Sequence, residues 1–271
     1  EHTNARLTLG LVCLYLGRFE EGWPHYEARH QSDLGQVASM VRDLPFARWR
    51  GEPLAGRSLA VCTEQGFGDE IQFCRYAATL KALGASRITL LCKPPLAPLL
   101  QTAAGVDAVV VDRDMPALAS HDYWCYLLDV PGLVGTTVAC VPARLPYLAA
   151  RPERLALWRP RLPQAGVRVG LVWKGDRKHL NDANRSLPSL SCLSALWTAA
   201  PGATFVSLQM DASQDDFAAG PQPPPLDLGS GIRDFGDSAA IVAQLDLVIC
   251  VDTAIAHLAC ALARPCWVLL P

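Results

Sequence analysis

Three polar residues follow an apolar run near the end of the chain and together could bind an anion. The run LVICV, residues 247–251, is continuous, as in a strand that is buried on both faces. Asp252 or Thr253 then caps a helix that begins at once, and His257 lies four residues after Thr253 on the same helix face. Helix N-termini favour phosphate groups. The residues therefore predict a phosphate site, with ordinary capping and a structural histidine as the open alternative.

A group of cations follows a second apolar run, RVGLVW, residues 168–173. The loop that follows, in KGDRKHLNDANRSLP, carries Lys174, Arg177, Lys178, His179 and Arg185, and Gly175 allows the backbone to turn. Cations at the carboxyl edge of a parallel strand suit a diphosphate, whose negative charge grows as it leaves. Arg177 and Lys178 are interpreted as solvated charges, whereas Lys174 and Arg185 are predicted diphosphate ligands.

An acidic residue follows a glycine-rich turn in CTEQGFGDEIQF, residues 62–73. Gly66 and Gly68 allow a tight turn and the close approach of a ligand to the backbone, and Asp69 stands where a helix begins. Asp69 is therefore a candidate general base, although spacing alone favours an N-terminal cap. The pattern lacks the third glycine of a dinucleotide-binding fingerprint.

Alternating strands and helices must position these residues. Strands are predicted at 58–62, 87–92 and 107–111, and the alternation restarts at 168 after a proline-rich crossing. This order predicts two parallel α/β lobes, with the ligand cleft between them. The predicted divisions are a helical hairpin at 1–30, a connector at 31–57, a first lobe at 58–150 and a second lobe at 151–271.

The first thirty residues predict a helical hairpin that resembles a tetratricopeptide repeat. Gly10, Gly17 and Gly22 stand where such a repeat needs small residues, and Tyr26 stands where it needs an aromatic ring. One repeat cannot bury its own faces. Either further repeats precede Glu1 or the hairpin packs on the next domain.

Composition excludes several classes of protein. The chain has 271 residues, 51% of them hydrophobic, and a formal net charge of -2, which gives no basis for binding nucleic acid. No apolar run reaches the length of a membrane span. The ten cysteines are scattered, which predicts reduced thiols in a cytoplasmic protein. The acidic stretches DRD (112–114) and DASQDD (211–216) are interpreted as surface turns, and no metal site or cofactor is predicted.

The motifs resemble those of a known enzyme family. DTAIAHLACALARPCWVLLP, residues 252–271, is similar to the donor segment of glycosyltransferase family 9 and the heptosyltransferases, which carries D-T-G-x-x-H. GDEIQ resembles the G-D loop of that family. The hairpin and the 175–188 loop resemble bacterial tetratricopeptide-repeat proteins that carry a transferase-like domain.

This resemblance implies a GT-B architecture of two Rossmann-like lobes behind a tetratricopeptide-like hairpin. It implies inverting, metal-independent transfer of a sugar from a nucleotide-diphosphate sugar to a glycan, lipid-linked or protein acceptor. By the resemblance, Asp69 is the base, Lys174 or Arg185 stabilises the diphosphate, and Asp252, Thr253 and His257 hold the donor. A cytoplasmic location, peripheral at the inner membrane, and a protein partner for the repeat segment are further expectations.

Two departures from the family pattern keep other functions open. Ala254 stands where heptosyltransferases have glycine, and its methyl group could crowd a phosphate. GT-B transferases usually continue beyond a strand like the last one here, so the second lobe is expected to be incomplete at Pro271. The alternatives are a non-catalytic binding or scaffold protein with a degenerate transferase-like domain, and another two-lobed enzyme of the epimerase type.

Overall fold

A computed structural model describes residues 2–31, 44–111, 118–177, 179 and 181–270. The chain divides into two compact units, Glu1–Arg144 and Leu145–Pro271. Each unit contains one five-stranded sheet in which every pair of neighbouring strands is parallel. The predicted parallel α/β character of both halves is confirmed, since parallel strands need helical crossovers on the sheet faces.

The first unit builds its sheet in the order β1-β5-β2-β3-β4. Its helices and strands are α1 Thr3–Tyr15, α2 Phe19–Tyr26, β1 Ala47–Arg48, β2 Ser58–Cys62, α3 Phe67–Phe73, α4 Tyr76–Ala82, β3 Arg87–Cys92, α5 Ala97–Leu100, β4 Ala108–Val111, β5 Tyr123–Tyr126 and α6 Val130–Leu133. Strand β2 is central, and its last four side chains are fully buried, as its apolar sequence requires. The carboxyl end of β2 therefore leads directly from the core to the Asp69 loop.

The predicted helical hairpin is present as α1 and α2. Glycine at position 10 permits the close packing of the two helices, because a Cβ there would lie 2.6 Å from the backbone nitrogen of Tyr26. A Cβ on Gly22 would lie 2.8 Å from the Leu14 side chain. Trp23 Nε1 donates a hydrogen bond to the Thr136 carbonyl at 2.8 Å, so the hairpin is packed on the first unit.

The second unit has the strand order β10-β9-β6-β7-β8. Its helices and strands are α7 Pro152–Trp158, β6 Val167–Val172, α8 Asp182–Arg185, α9 Ala195–Ala199, β7 Ala203–Ser207, α10 Gln214–Ala218, β8 Leu226–Asp227, α11 Phe235–Val242, β9 Leu247–Val251, α12 Ala254–Ala261 and β10 Cys266–Leu269. Strands β6 and β9 are neighbours, with Val169 opposite Leu247 and Val172 opposite Cys250. The segments that leave their carboxyl ends therefore begin at the same edge of the sheet.

Several local predictions are wrong. Residues 69–85 have helical spacing and predict one helix, whereas the structure divides this stretch between α3 and α4. The predicted connector contributes strand β1, which pairs with β5. The DRD stretch at 112–114 lies outside the described residues. All ten cysteines are free thiols. Within the described ranges, no helix has both the length and the apolar character needed to cross a membrane.

Candidate functional site

The carboxyl edge of the second sheet brings two predicted site segments together. Arg185 Nη1 donates a hydrogen bond to the Asp252 carbonyl at 3.2 Å, although the two residues are 67 positions apart in the chain. Arg185 ends α8, and Asp252 follows β9. The contact places a guanidinium beside the residue that precedes the start of α12. We call the segments after β6 and β9, residues 173–186 and 252–257, the donor segments.

The start of α12 has the features of an anion site. Thr253 is the N-cap residue, with an extended backbone (φ -145°, ψ 170°), but its side chain makes no capping hydrogen bond. Its Oγ1 atom is buried and has no hydrogen-bond partner among the described residues. The sequence predicted that Asp252 or Thr253 caps this helix, and Thr253 occupies the N-cap position. Buried hydroxyl groups normally have hydrogen-bond partners, so Thr253 stays a candidate contact for a ligand.

Helix α12 has one face that packs on the sheet and another that is partly exposed. Leu258 and Ala259 are fully buried, which fixes the orientation of the helix on the sheet. His257 is half-buried and lies four residues after Thr253, on the same face. The asymmetry follows from the sequence, because a surface helix turns its apolar stripe to the core.

Gly175 lies directly beneath the Arg185 side chain. A Cβ at this position would lie 2.8 Å from Arg185 Nε and 2.7 Å from Asp182 Oδ1. Its backbone N–H donates to Ser186 Oγ at 2.8 Å, and Ser186 Oγ donates to Asp182 Oδ1 at 2.7 Å. The glycine is therefore needed for a close approach to side chains, and the guanidinium is held over the loop by residues of α8.

Lys174 already has an anionic partner in the protein. Its Nζ lies 2.5 Å from Asp216 Oδ1, and only 18% and 12% of the two side chains are exposed. The hydrogen bond from Lys174 lowers the pKa of Asp216 to about 2. The interpretation of 211–216 as a surface turn is therefore wrong for Asp216, which pairs with the predicted diphosphate ligand and accepts the Ser213 N–H at 3.0 Å.

One organising residue of this edge was missed in the sequence. Gln209 is 5% exposed, and its Oε1 accepts the backbone N–H of Lys174 at 3.0 Å and that of Trp173 at 3.3 Å. It follows strand β7, the neighbour of β6. Its position just after a strand of the same sheet was the available signal, because the carboxyl ends of parallel strands share one edge.

Asp69 occupies the first turn of α3 in the first unit. Its Oδ2 accepts the backbone N–H of Gly66, the N-cap residue, at 2.9 Å, so the carboxylate closes the start of the helix. Spacing favoured Asp69 as the N-cap residue, but the structure gives that position to Gly66 and places Asp69 at the third helical position, where its carboxylate accepts the N–H of the N-cap. The left-handed residue of the preceding turn is Gln65 (φ 65°), whereas neither Gly66 nor Gly68 has a positive φ. That Gly66 and Gly68 allow a ligand to approach the backbone closely stays a prediction.

A buried ion pair adjoins the Asp69 turn. The Glu70 side chain is fully buried, and its Oε1 lies 2.9 Å from Nζ of Lys93, the residue after β3. Lys93 also donates a hydrogen bond to the Gln65 carbonyl. Burial raises the pKa of Glu70 to about 6, and the Lys93 ammonium offsets only part of that effect. The signal for this pair was the position of Lys93 at the end of the strand beside β2.

The helical hairpin contacts the same turn from its other side. Gln65 Nε2 donates to the Tyr26 hydroxyl at 2.9 Å, and Arg29 Nη2 donates to Glu64 Oε1 at 2.7 Å. Arg29 Nη2 also lies 2.6 Å from Asp129 Oδ1. Consecutive residues of the turn are therefore fixed by α2 and the segment after it.

Within the described residues, no group of three or more metal-ligating side chains could hold a metal ion.

Comparison with known proteins places this geometry in a family context. Residues 231–269, which span α11, β9, α12 and β10, match the model of glycosyltransferase family 9 (heptosyltransferase). The glycosyl transferase family 9 structure from Veillonella parvula DSM 2008 is similar, with a TM-score of 0.65 at 12% identity, over 81% of this chain and 82% of that one. At this identity the likeness shows the fold alone: each lobe has a Rossmann-like fold of the kind found in GT-B proteins.

Two further relatives extend the comparison. E. coli ADP-heptose lps heptosyltransferase II has a TM-score of 0.60 at 14% identity, over 79% of this chain and 84% of that chain. The dodecameric iron-containing heptosyltransferase TibC, solved with ADP-D-beta-D-heptose, has a TM-score of 0.57 at 11% identity, over 80% of this chain and 59% of that chain. These similarities concern the fold.

A curated relative is similar over nearly all of the chain. Protein FlbA of Caulobacter vibrioides (strain ATCC 19089 / CIP 103742 / CB 15) is 31% identical over 283 residues. The alignment covers 95% of this chain and 46% of FlbA, so the chain spans about half the length of that relative. The family 9-like fold and the FlbA similarity together cover both units.

Proposed function

We propose that the protein transfers a sugar from a nucleoside-diphosphate sugar to an acceptor hydroxyl, with inversion and without a required metal. The observation that carries this proposal is the buried Thr253 hydroxyl at the start of α12, which has no hydrogen-bond partner in the described part of the chain and lies next to the segment that Arg185 contacts. Residues 231–269, which match the family 9 model, contain this helix. The heptosyltransferase TibC binds ADP-D-beta-D-heptose, which makes a nucleotide-diphosphate heptose the first donor to test.

The donor segments supply complementary groups for a diphosphate. The free backbone N–H groups at the start of α12 and its positive dipole end favour an anion. Arg185 adds a charged hydrogen-bond donor, while Asp252 and His257 are proposed contacts to the sugar or nucleoside. The ion pair with Asp216 neutralises much of the Lys174 charge. Arg185 is therefore the better of the two predicted cations to stabilise the leaving diphosphate.

Asp69 is the proposed general base. Its carboxylate takes the proton of the acceptor hydroxyl as that oxygen forms a bond to the anomeric carbon, and the bond from this carbon to the diphosphate breaks. The nucleoside diphosphate leaves with the electron pair, and its charge is stabilised by Arg185. The hydrogen bond from the Gly66 N–H to Oδ2 fixes the carboxylate and leaves Oδ1 for the acceptor.

A protein partner for the hairpin is a second part of the proposal. Helix α1 exposes a set of large apolar side chains, a pattern that marks an interaction surface. They are Leu9, Leu11, Val12 and Tyr15, and Leu16, the C-cap residue, extends the set. A tetratricopeptide-like repeat stacks on its neighbours through such faces, so we propose that α1 contacts another helical repeat or a protein partner.

A non-catalytic scaffold remains the alternative function. Asp69 caps its helix and Lys174 is paired with Asp216, so both residues have structural roles that do not require a reaction. Ala254, in place of the glycine of the heptosyltransferases, is the first residue of α12. A binding module would recognise the nucleoside diphosphate and release no product.

The Asp69→Asn variant tests the proposed base. A screen of nucleoside-diphosphate sugars by thermal shift first identifies the donor, and nucleoside diphosphate release with acceptor is then measured. Asparagine can still accept the Gly66 N–H, so we expect the fold and donor affinity to be retained while kcat falls by about 100-fold or more.

Asp69→Ala is the matched variant, because it removes both the base and the cap. If Asp69 is only a cap, Asp69→Asn keeps wild-type turnover while Asp69→Ala loses stability by about 1 kcal/mol. Donor binding by the wild-type chain without any product release, across acceptors of the three proposed classes, supports the scaffold instead.

A further inference from the structure

The turn that carries Asp69 is contacted by Lys93, the residue that directly follows the neighbouring strand β3. All five residues of β2 pair with β3, from Ser58 opposite Arg87 to Cys62 opposite Leu91. The Lys93 ammonium contacts two points of the turn, the Gln65 carbonyl and the Glu70 carboxylate. These points lie on either side of Asp69 and its cap partner Gly66.

The conformation that Lys93 holds is one that the chain does not adopt readily. Gln65 has a φ of 65°, in the left-handed region that costs a residue with a side chain about 1 kcal/mol or more. Such a conformation persists when surrounding contacts determine it. The Lys93 ammonium binds the carbonyl of this same residue, and Tyr26 accepts a hydrogen bond from its side chain.

Glu70 gives the lysine a fixed position. Its side chain is fully buried, whereas 29% of the Lys93 side chain is exposed. A buried carboxylate needs a compensating charge, so the Glu70 side chain anchors the ammonium at the sheet edge. Lys93 Nζ also lies over the Phe67 ring, 5.3 Å from its centroid, in a cation–π contact.

We infer that Lys93 and Glu70 form a positioning pair that sets the conformation of residues 65–69 and thereby presents the Asp69 carboxylate to the acceptor. This inference rests on the proposed function, since it assumes that Asp69 acts on a substrate. The pair itself contacts no reacting atom; Lys93 acts through the Gln65 carbonyl, and Glu70 acts through Lys93.

Lys93→Met is the primary test, with Lys81→Met as the matched control. Lys81 Nζ lies 2.6 Å from Asp107 Oδ2, an ion pair of the same unit whose lysine side chain is 27% exposed. This pair joins the end of α4 to the residue before β4, at the opposite edge of the sheet. The two variants therefore remove equivalent charges, and only one of them contacts the Asp69 turn.

Hydrogen exchange provides a measurement that does not depend on turnover. In the full chain, we expect the amides of residues 65–70 to exchange at least tenfold faster in Lys93→Met and at the wild-type rate in Lys81→Met. Lys93→Met leaves Glu70 buried without its partner, so the double variant Lys93→Met/Glu70→Gln is measured as well. Faster exchange must persist in the double variant, because the contact to the Gln65 carbonyl is still absent.

Turnover with the identified donor then tests the connection to catalysis. We expect Lys93→Met to lower kcat about tenfold while the donor KM stays within twofold, and Lys93→Arg to recover part of the loss. If residues 65–70 exchange at the wild-type rate in Lys93→Met and in Lys93→Met/Glu70→Gln, the inference is overturned. Faster exchange in Lys93→Met with an unchanged kcat overturns it as well. A wild-type chain that transfers no sugar contradicts the proposed function, while the exchange result still shows whether the pair fixes the turn.

Discussion

At the scale of single residues, two buried polar atoms of the donor segments, Thr253 Oγ1 and Trp173 Nε1, have no hydrogen-bond partner among the described residues. Most polar atoms of the donor segments have protein partners: Arg185 donates to the Asp252 carbonyl, and Lys174 pairs with Asp216. The Thr253 Oγ1 is buried without a partner among the described residues. A donor atom that is unsatisfied in the folded protein gains a full hydrogen bond when a phosphate oxygen arrives.

Thr253→Val therefore separates a binding role from a structural one. Valine has nearly the same shape and removes only the hydroxyl, so the free energy of unfolding should change by less than about 0.5 kcal/mol or increase. The affinity for the nucleoside diphosphate should fall roughly tenfold, because a hydrogen bond to a charged group contributes about 1.5–3 kcal/mol. Isothermal titration calorimetry measures the affinity. Thr253→Ser keeps the hydroxyl and should bind like the wild type; equal binding by the valine variant contradicts the assignment.

At the scale of elements, close helix packing in the hairpin depends on its glycines. Replacing a helical glycine with alanine usually stabilises a helix by up to about 1 kcal/mol. At Gly10 the opposite is expected, because the new Cβ would lie 2.6 Å from the backbone nitrogen of Tyr26, which cannot move independently of α2. We expect Gly10→Ala to lower the free energy of unfolding by about 1–3 kcal/mol.

Gly22→Ala is the comparison for this prediction. The nearest atoms to its new Cβ belong to the Leu14 side chain, which can change its rotamer, so the loss should be smaller than at Gly10. Urea denaturation followed by tryptophan fluorescence measures both variants, since Trp23 lies in α2. A Gly10→Ala variant as stable as the wild type would contradict the close packing of α1 on α2.

The elements also show which features the sequence could predict. The apolar runs at 58–62, 87–92 and 247–251 predicted β2, β3 and β9 well, because strands buried on both faces have few polar residues. Strand β1 was not predicted, since two residues in a polar segment carry no periodic pattern; it forms by pairing with β5. The division between α3 and α4 was missed because the whole stretch has helical spacing.

Site residues were predictable where they follow a strand and unpredictable where they depend on a tertiary partner. Arg185 and Asp252 were identified separately, and the adjacency of β6 and β9 explains why they meet. No local pattern indicated that Asp216 neutralises Lys174, since the two are 42 residues apart. The same holds for Lys93 and Glu70, whose pairing requires the register of β2 and β3.

At the scale of the whole molecule, each unit has a buried aspartate that joins two of its elements. In the first unit, Asp129 binds Arg29 from the hairpin segment and Arg48 of β1, at 2.6 and 2.7 Å. In the second, the fully buried Asp237 of α11 pairs with Arg154 of α7 and accepts the Trp158 Nε1–H at 3.0 Å. Burial opposes the charge of Asp129, but the hydrogen bond with His30 and the charge of Arg29 hold its pKa well below its usual value.

Asp129→Asn should therefore destabilise the chain strongly at neutral pH. Removing one member of a buried ion pair leaves Arg29 buried with less compensation, which costs about 3–5 kcal/mol. A carboxyl whose pKa is lowered by folding contributes its full stabilisation above its unfolded pKa of about 3.9, and this contribution is lost as the pH falls towards the folded value. The difference between wild type and Asp129→Asn should then be largest at pH 7 and shrink below about pH 4. Glu21→Gln, which removes an exposed pair with Arg18, should leave the free energy of unfolding almost unchanged at every pH. Urea denaturation at a series of pH values measures these differences. If Asp129→Asn lowers the free energy of unfolding by the same amount at every pH, the charge of Asp129 does not hold the hairpin segment to the rest of the first unit.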